Sequence, residues 1–535
     1  MTALALSPSR AQAGVNPWVV AAVVVVPTFM EVLDTTITVV ALRYIAGGLS
    51  ATVSDGEWVI TSYLAANAII LPITGWLSAH LGRRNYFLLS IAVFTLASGL
   101  CGMATSLGQL ILFRVVQGLA GGGLQPSSQG VLLDAFPQEK QGIAMTLFGL
   151  AALLAPVAGP TLGGWITDSY SWRWVFYINV PIGLLALAAC YALLRDPDYL
   201  TRQRVELRKQ PFRFDTIGLS LLVIVMVSWE VMLSKGQEWD WLSDPFWRVQ
   251  TLAAFSAVGL IALILWEVRH PSPVVNFRPM LERNFASCCL IIFCAFAVLY
   301  AASTSLPGLL QSLFGYNALS AGLVMSPAGF FAVVAMPFVG LALGRGTDAR
   351  WLIAGGLLIM AAGNYWMSQM NLDISPGQVV WPRVILVLGL SVCFAPANVA
   401  AYRYTPPLLR GAAVGLLSLL RNEGGSVGTS MAQTIQERRD QFHTLRLGES
   451  LDSFNAGVVS FLEQARAAFL QQTGDPSAAQ QLALQTLEDL RQQQASSLAY
   501  FDVFLLLAVV TLVLAPVVLL MKRSVAEKGA PIGGE

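Results

Sequence analysis

Glu31 and Asp34 stand one helical turn apart inside an apolar run, and Thr35 and Thr38 continue the same polar stripe. An ionisable side chain at membrane depth costs several kcal/mol, so each one needs a reason to be there. A carboxylate in a cavity that opens and closes to water can load a proton on one side and release it on the other. Asp34, in the middle of its run, is the first candidate for that exchange, and Glu31, nearer a cavity mouth, is the second. A permanent pairing with an arginine such as Arg114 is the structural alternative. Arg114 and Gln117 share a helix face at i, i+3 in another apolar run. A guanidinium is always charged, so at that depth it must meet a carboxylate, helix carbonyls or water. Arg421, Asn422 and Glu423 form a polar knot in a third run, followed by Gly424, Gly425 and Gly428. The small-xxx-small spacing of Gly424 and Gly428 permits close helix approach, so an interface with a local ion pair is expected there. Glu230 and Glu267 lie near the ends of their runs, where snorkelling to water accounts for them. Pro156, Gly159-Pro160 and Gly163-Gly164 combine a missing backbone donor with tight packing, the pattern of a hinge.

The elements that must hold these residues are set by composition. Of 535 residues, 55% are apolar and only 12% charged, whereas a soluble chain carries about 25% charged residues. The mean hydropathy is +0.63. This is an all-α integral membrane protein. Apolar runs of helical length, from 18–42 to 498–521, predict fourteen transmembrane helices, the run at 246–267 being the weakest. The first run is too long for a signal-peptide core and reads as a retained span.

Lys and Arg are retained in cytoplasmic loops. With the N-terminus cytoplasmic, that side collects Arg83, Arg84, Lys140, the arginines from 195 to 213, Lys209, Arg269, Arg278, Arg283, Arg345, Arg350, Arg403 and Arg410. Arg10, Lys522, Arg523 and Lys528 join them at the termini, while the opposite loops hold only Arg43, Arg173, Lys235 and Arg248. Both termini are therefore expected to be cytoplasmic. Arg114-Val115 is echoed by Arg383-Val384, and Gly142-Ile143-Ala144 by Gly411-Ala412-Ala413 at the same offset. Leu81-Gly82-Arg83 is echoed by Leu343-Gly344-Arg345. These echoes suggest 6 + 2 + 6 helices: a six-helix bundle over 1–194, linkers and a two-helix insert over 195–285, and a second six-helix bundle over 286–535. Paired halves place a substrate site between them near the midplane. The polar, Gln-rich segment 435–497 interrupts the second bundle on the extracytoplasmic side. Leu451, Phe454, Val458, Phe461, Leu462, Ala465 and Phe469 predict an amphipathic helix over 451–470. A turn at Gly474-Asp475-Pro476 leads to a second helix at 477–494, the two making a hairpin that caps the bundle or docks a partner.

Other classes of function find no support. A net charge of +1 gives no basic face for nucleic acid. No lysine follows a glycine, so the phosphate-binding GxxxxGK[ST] pattern is missing. The 6 cysteines lie in apolar runs and the 3 histidines are far apart, so no disulfide framework, metal site or nucleophilic triad is expected. No enzyme activity and no cofactor is expected, and direct drive by ATP is not expected either.

The same residues resemble a known family over nearly the whole chain: the major facilitator superfamily, in its fourteen-span drug:proton antiporter branch of the EmrB/QacA type. Leu33-Asp34-Thr35-Thr36-Ile37 resembles the first-helix motif of that branch, and Trp58-Val59-Ile60-Thr61-Ser62-Tyr63-Leu64 its second-helix motif. The stretch from Gly75 to Arg84 resembles the superfamily loop after helix two, with Gly75, Gly82, Arg83 and Arg84 in place but Ala79 and His80 where an acid and a base are usual. Arg114-Val115-Val116-Gln117-Gly118 is similar to the fourth-helix motif assigned to proton transfer, and Gly159-Pro160-Thr161-Leu162-Gly163-Gly164 to the antiporter motif of helix five. The stretch Trp172 to Pro181 is typical of the branch. The resemblance implies a proton-coupled antiporter that exports lipophilic or amphipathic drugs across a bacterial inner membrane and confers antibiotic resistance. A long loop before the last helix resembles that of tripartite pumps, which implies a periplasmic adaptor (a membrane fusion protein) and an outer-membrane channel as partners. The rival expectation is a facilitator that exports one defined metabolite, such as a siderophore, fatty acid or amino acid.

Overall fold

The structure, a computed structural model, describes residues 16–136, 140–209, 215–271, 273–406, 409–452 and 454–524. Arg10, Arg213, Lys528 and both chain ends, which entered the expectation for the termini, lie outside the described residues. Among the described residues there are helices and no strands. Fourteen long helices follow one another: α1 (Pro17–Gly48), α2 (Trp58–Leu81), α3 (Arg83–Met103), α4 (Leu107–Ala135), α5 (Gln141–Ser169), α6 (Trp174–Leu193), α7 (Thr216–Lys235), α8 (Arg248–Arg269), α9 (Arg283–Ser312), α10 (Leu319–Gly344), α11 (Ala349–Ser368), α12 (Pro376–Arg403), α13 (Arg410–Gly448) and α14 (Pro476–Leu514). Their starts are written locally. Asn16 caps α1 by accepting from Trp18 N at 3.0 Å, with Pro17 in the first turn. Ser375 and Gln378 form a capping box that encloses Pro376 at the start of α12, and Asp475 caps α14 ahead of Pro476.

Among the described residues, 12 helices are long and apolar enough to cross a membrane. Of the fourteen, the two outside that set are α11, which carries Arg350 and Asn364, and α13, which carries the Arg421-Asn422-Glu423 knot. Helix α5 runs unbroken through Pro156 and Pro160.

The segment 435–497 departs from the expected hairpin. Helix α13 continues for 39 residues to Gly448, and α14, also 39 residues, begins at Pro476 and runs straight into its apolar half. At 1.5 Å per residue each is about 58 Å long, nearly twice a hydrocarbon core of about 30 Å. No Gly or Pro interrupts 477–515, so the polar-to-apolar change near residue 497 alters only what surrounds the helix. The projecting arms are joined by Arg439 Nε to Asp502 at 2.5 Å, by His443 Nε2 to the same carboxylate at 2.7 Å, and by Ser496 Oγ donating to Asp440 at 2.5 Å. The separate helix Ala456–Thr473 lies against α14, and of its residues Val458, Phe461, Leu462, Ala465 and Phe469 are half-buried, as the periodicity predicts. Gly474 closes it in the left-handed region at φ 67.

Close packing brings the helices of the site together. A Cβ on Gly159 would overlap Thr36, and Gly163 packs on Ile37, so the stretch from Gly159 to Gly164 of α5 is seated against α1 beside Asp34. A Cβ on Gly118 would overlap the Tyr63 carbonyl, which lets α4 lie directly on α2. At one end of the molecule α2 meets α13: a Cβ on Gly75 would come 2.8 Å from the Gly411 carbonyl carbon. At the other end α5 meets α10, where a Cβ on Gly322 would come 2.6 Å from Thr161 Cα. Between them, Gln129 of α4 donates to Asn398 of α12 at 2.8 Å.

Helix α7 is wedged against both α2 and α13, and Glu230 on it and Glu267 on α8 are both buried, which corrects the expectation that they snorkel. Glu230 is buried and accepts from Ser426 Oγ of α13 at 3.1 Å; Glu267 is buried and accepts from Val275 N at 3.2 Å. The far end of α7 is tied down by Lys235 Nζ, which donates to Glu57 at 2.8 Å, Glu238 at 2.6 Å and the Ser54 carbonyl at 2.7 Å.

Gly424 and Gly428 do form the close approach foreseen for them, against Phe293 and Ala297 of α9, where an added Cβ would overlap backbone carbonyls. Because backbone cannot yield as a side-chain tip can, Gly428→Leu is expected to destabilise the protein by about 3 kcal/mol. Thermal unfolding in detergent checks this; an unchanged midpoint would mean that α9 and α13 are not locked at this point.

Candidate functional site

Asp34 is fully buried in α1, and side chains of two other helices, α4 and α6, donate to its carboxylate. Arg114 Nη1 of α4 donates to Oδ2 at 2.5 Å. Gln117 Nε2, one turn on, donates to Oδ1 at 3.0 Å, and Asn179 Nδ2 of α6 donates to the same oxygen at 2.7 Å. Ser98 of α3 accepts from Asn179 at 3.1 Å and so holds that amide in place. The guanidinium is fixed as well: Nε donates to the Val59 carbonyl at 3.1 Å, Nη1 also donates to Gln117 Oε1 at 2.9 Å, and the ring of Tyr63 lies 4.1 Å beneath Cζ. Breaking such a pair by removing one member costs about 3–5 kcal/mol, because the other charge is left buried.

Glu31, one turn earlier, faces the other way into a donor set of its own. Its Oε1 accepts from Tyr63 Oη at 3.2 Å and Asn67 Nδ2 at 3.0 Å, and its Oε2 from Gln125 Nε2. Tyr63 thereby touches both acidic centres, stacking on the guanidinium at one and donating at the other. Asn67 is also bonded across the bundle: Asn422 Nδ2 of α13 donates to its Oδ1 at 3.1 Å.

The polar knot of α13 therefore does not form a local ion pair, which corrects that expectation. Successive helical residues point about 100° apart, and the three side chains go to three places. Asn422 reaches Asn67. Arg421, buried, lies over Phe148 at 5.5 Å and Phe296 at 5.7 Å on the side of Glu31. Glu423, buried, turns to Glu230 of α7. Phe148, Phe296 and Phe394 pack together beside Arg421, with ring centroids 6.3 and 5.3 Å apart, and this aromatic cluster joins α5, α9 and α12.

The loop motif sits apart from this centre, at the end of the bundle where Gly75 meets Gly411. Gly82 joins α2 to α3 at φ 87, a conformation that favours glycine. Arg83 pairs with Asp134 at the end of α4 and donates to the Gly130 carbonyl at 3.0 Å. Arg84 donates to the carbonyls of Leu194 at 2.7 Å and Tyr191 at 2.9 Å. The ring of His80 lies 4.1 Å from that of Trp76, tilted by 31°, and its Nδ1 is 2.9 Å from the Trp76 carbonyl. Gly164 and Pro160 are buried in α5 with Gly159 and Gly163.

Thus Asp34, Arg114 and Gln117 are brought into one site, Glu31 lies beside it, Arg421 and Asn422 meet its edge, and Glu423 does not. Asn179, Ser98, Asn67 and Gln125 complete the site beyond the residues expected from the sequence. Lone amides inside apolar runs (Asn67, Gln125, Asn179) were the available signal, since each must find a partner at that depth. Among the described residues no group of His, Cys, Asp and Glu has the makings of a metal site.

Comparison with known proteins agrees with this architecture. Residues 25–429 match the family model of the Major Facilitator Superfamily. The multidrug export protein EmrB of Escherichia coli (strain K12) is 37% identical over 464 residues, covering 86% of this chain and 88% of that one. The fatty acid resistance protein FarB of Neisseria gonorrhoeae is 34% identical, covering 92% of this chain and 94% of that one. Among solved structures, the human organic anion transporter MFSD10 superposes with a TM-score of 0.57 at 14% identity, covering 93% of this chain and all of that one, which speaks to the fold. A family of transporters and relatives named for export point to a transporter rather than an enzyme. With a family model spanning most of its length and relatives this similar, the chain belongs to the Major Facilitator Superfamily.

Proposed function

We propose that the protein is a proton-coupled antiporter that exports lipophilic and amphipathic compounds across the bacterial inner membrane. The observation that carries the reading is the Asp34–Arg114 pair, fully buried between α1 and α4 in a chain with relatives named as multidrug export proteins. The geometry suggests how a proton acts. Oδ1 of Asp34 accepts from two neutral amides, which can stay in place in either protonation state, whereas Oδ2 accepts only from Arg114. A proton placed on Oδ2 meets a donor head-on, so protonation and separation of the pair are one event. Substrate arriving from the cytoplasm or inner leaflet competes with the protonated state, and the two are coupled because each favours a different arrangement of the halves. Glu31, with three donors, carries the electrostatic link to Arg421 and so to α13. The Phe148–Phe296–Phe394 cluster offers apolar, loosely selective burial.

In this reading α11 and α13 also span, giving fourteen helices as 6 + 2 + 6 over 1–194, 195–285 and 286–535, with both termini cytoplasmic. The arms of α13 and α14 and the helix Ala456–Thr473 then project into the periplasm, where a membrane fusion protein leading to an outer-membrane channel would dock. Export of one defined acid, such as a fatty acid, is the second reading, favoured by the likeness to FarB over 92% of the chain. Energy-starved cells lacking their own pumps, loaded with ethidium and given glucose, test the first. They are expected to extrude the dye when the protein is present and to stop on addition of a protonophore. Extrusion that survives the protonophore sinks proton coupling, and a panel in which only one acid moves favours the second reading.

A further inference from the structure

The buried ion pair of the first half has a counterpart in the second that lacks its acid. Gln129 and Asn398, hydrogen-bonded to each other, stand 269 residues apart, and the same interval carries Arg114 to Arg383 and Asp34 to Ser303. The contacts repeat too: Arg114 of α4 donates to Asp34 of α1, and Arg383 of α12 donates through Nη2 to Ser303 Oγ of α9 at 2.6 Å. Each arginine lies about two turns from the start of its helix, ~10 Å along it. Arg383 is fully buried, and among the described residues no carboxylate faces it; Nε and Nη1 are buried without a partner. A guanidinium has five N–H donors and never loses its charge. One hydroxyl leaves that charge uncompensated by the protein, at a depth where uncompensated charge is costly.

We propose that Arg383 binds the carboxylate of amphipathic organic acids, giving the carrier an anion site in its second half to set beside the proton site in its first. The planar donor fork matches a carboxylate. The buried neighbours along the two helices, Leu299, Ala302 and Leu306 on α9 and Leu386 and Val387 on α12, are apolar. They favour an acid with a hydrocarbon body over a small hydrophilic anion. Because α4 and α12 touch at Gln129–Asn398, Arg383 belongs to a helix that meets the other half. The inference rests on the export reading above and adds a class of substrate to it.

Export of a pyrene-labelled fatty acid and of ethidium is compared in cells carrying the wild type, Arg383→Gln and Ser303→Asp. The second variant supplies the missing acid and should occupy Arg383 as Asp34 occupies Arg114. Loss of a buried charge-assisted contact predicts that the ratio of acid to ethidium export falls by at least about tenfold in both variants, and that Arg383→Lys recovers part of it. An unchanged ratio in both variants, or equal loss of both compounds in both, overturns the proposal and leaves Arg383 a structural residue. In detergent, purified wild-type protein should bind the pyrene acid with Arg383 dependence in chloride-free buffer. If chloride alone stabilises the protein in that way and the acid does not, the site takes an inorganic anion and the proposal fails. Arg383-dependent binding of the acid by a protein that exports neither compound would support the site while sinking the export reading.

Discussion

Asp34→Asn is expected to reduce energised export to the level of cells without the protein, while the protein remains folded in the membrane. The substitution keeps the shape and an acceptor at Oδ1, so Gln117 and Asn179 retain their bonds, while its amide N–H takes the place of Oδ2 and faces Arg114 as a protonated carboxyl would. What it removes is the ability to hold a charge and take up a proton. That the fold tolerates a neutral partner for a buried arginine is already visible in the same molecule, where Arg383 is met only by Ser303. Immunoblotting of membranes and thermal unfolding separate loss of function from loss of protein. Export by Asp34→Asn at the wild-type rate would make Asp34 a structural residue.

Arg114→Gln is expected to do more harm to stability. Asp34 then remains buried with two amide donors and no counter-charge, a defect worth about 3–5 kcal/mol if the carboxylate stays ionised. The protein can escape that cost by keeping the proton on Oδ2, which fixes Asp34 in its loaded form and stops the cycle. Either way export is lost, and the unfolding midpoint falls wherever the carboxylate remains charged. Combining Arg114→Gln with Asp34→Asn should restore the midpoint toward that of Asp34→Asn alone without restoring export. Contacting charges are not additive, so a double variant whose destabilisation equals the sum of the singles would mean that the two side chains do not act as a pair.

The pair was legible in the sequence because membrane depth forces the question of partners: a carboxylate at 34 and a guanidinium at 114 cannot both be left alone. Which other residues complete the site was less so. Asn179 lies in a motif stretch and Ser98 in an ordinary apolar run, and nothing in their spacing says that α6 reaches Asp34 with α3 behind it. Glu230 was misjudged for a related reason. Near the end of an apolar run, water and a neighbouring helix are equally available, and only the packing of α7 on α13 decides between them. Arg421 and Glu423 look like an ion pair when written side by side, yet a helix turns them away from each other. The arms of α13 and α14 show the converse limit. Composition marks where the surroundings change, but a helix ends only where its backbone hydrogen bonding does, and no Gly or Pro ends α14 between 477 and 515.

The coupling of proton to substrate at Asp34 is tested most directly by proton release. Purified protein in weakly buffered detergent, at a pH where the carrier holds its proton, is mixed with ethidium while a pH dye is followed. The wild type is expected to release protons on binding, saturating with the dye, and Asp34→Asn to bind ethidium and release none. Equal release from both proteins would contradict the assignment of the coupled proton to Asp34.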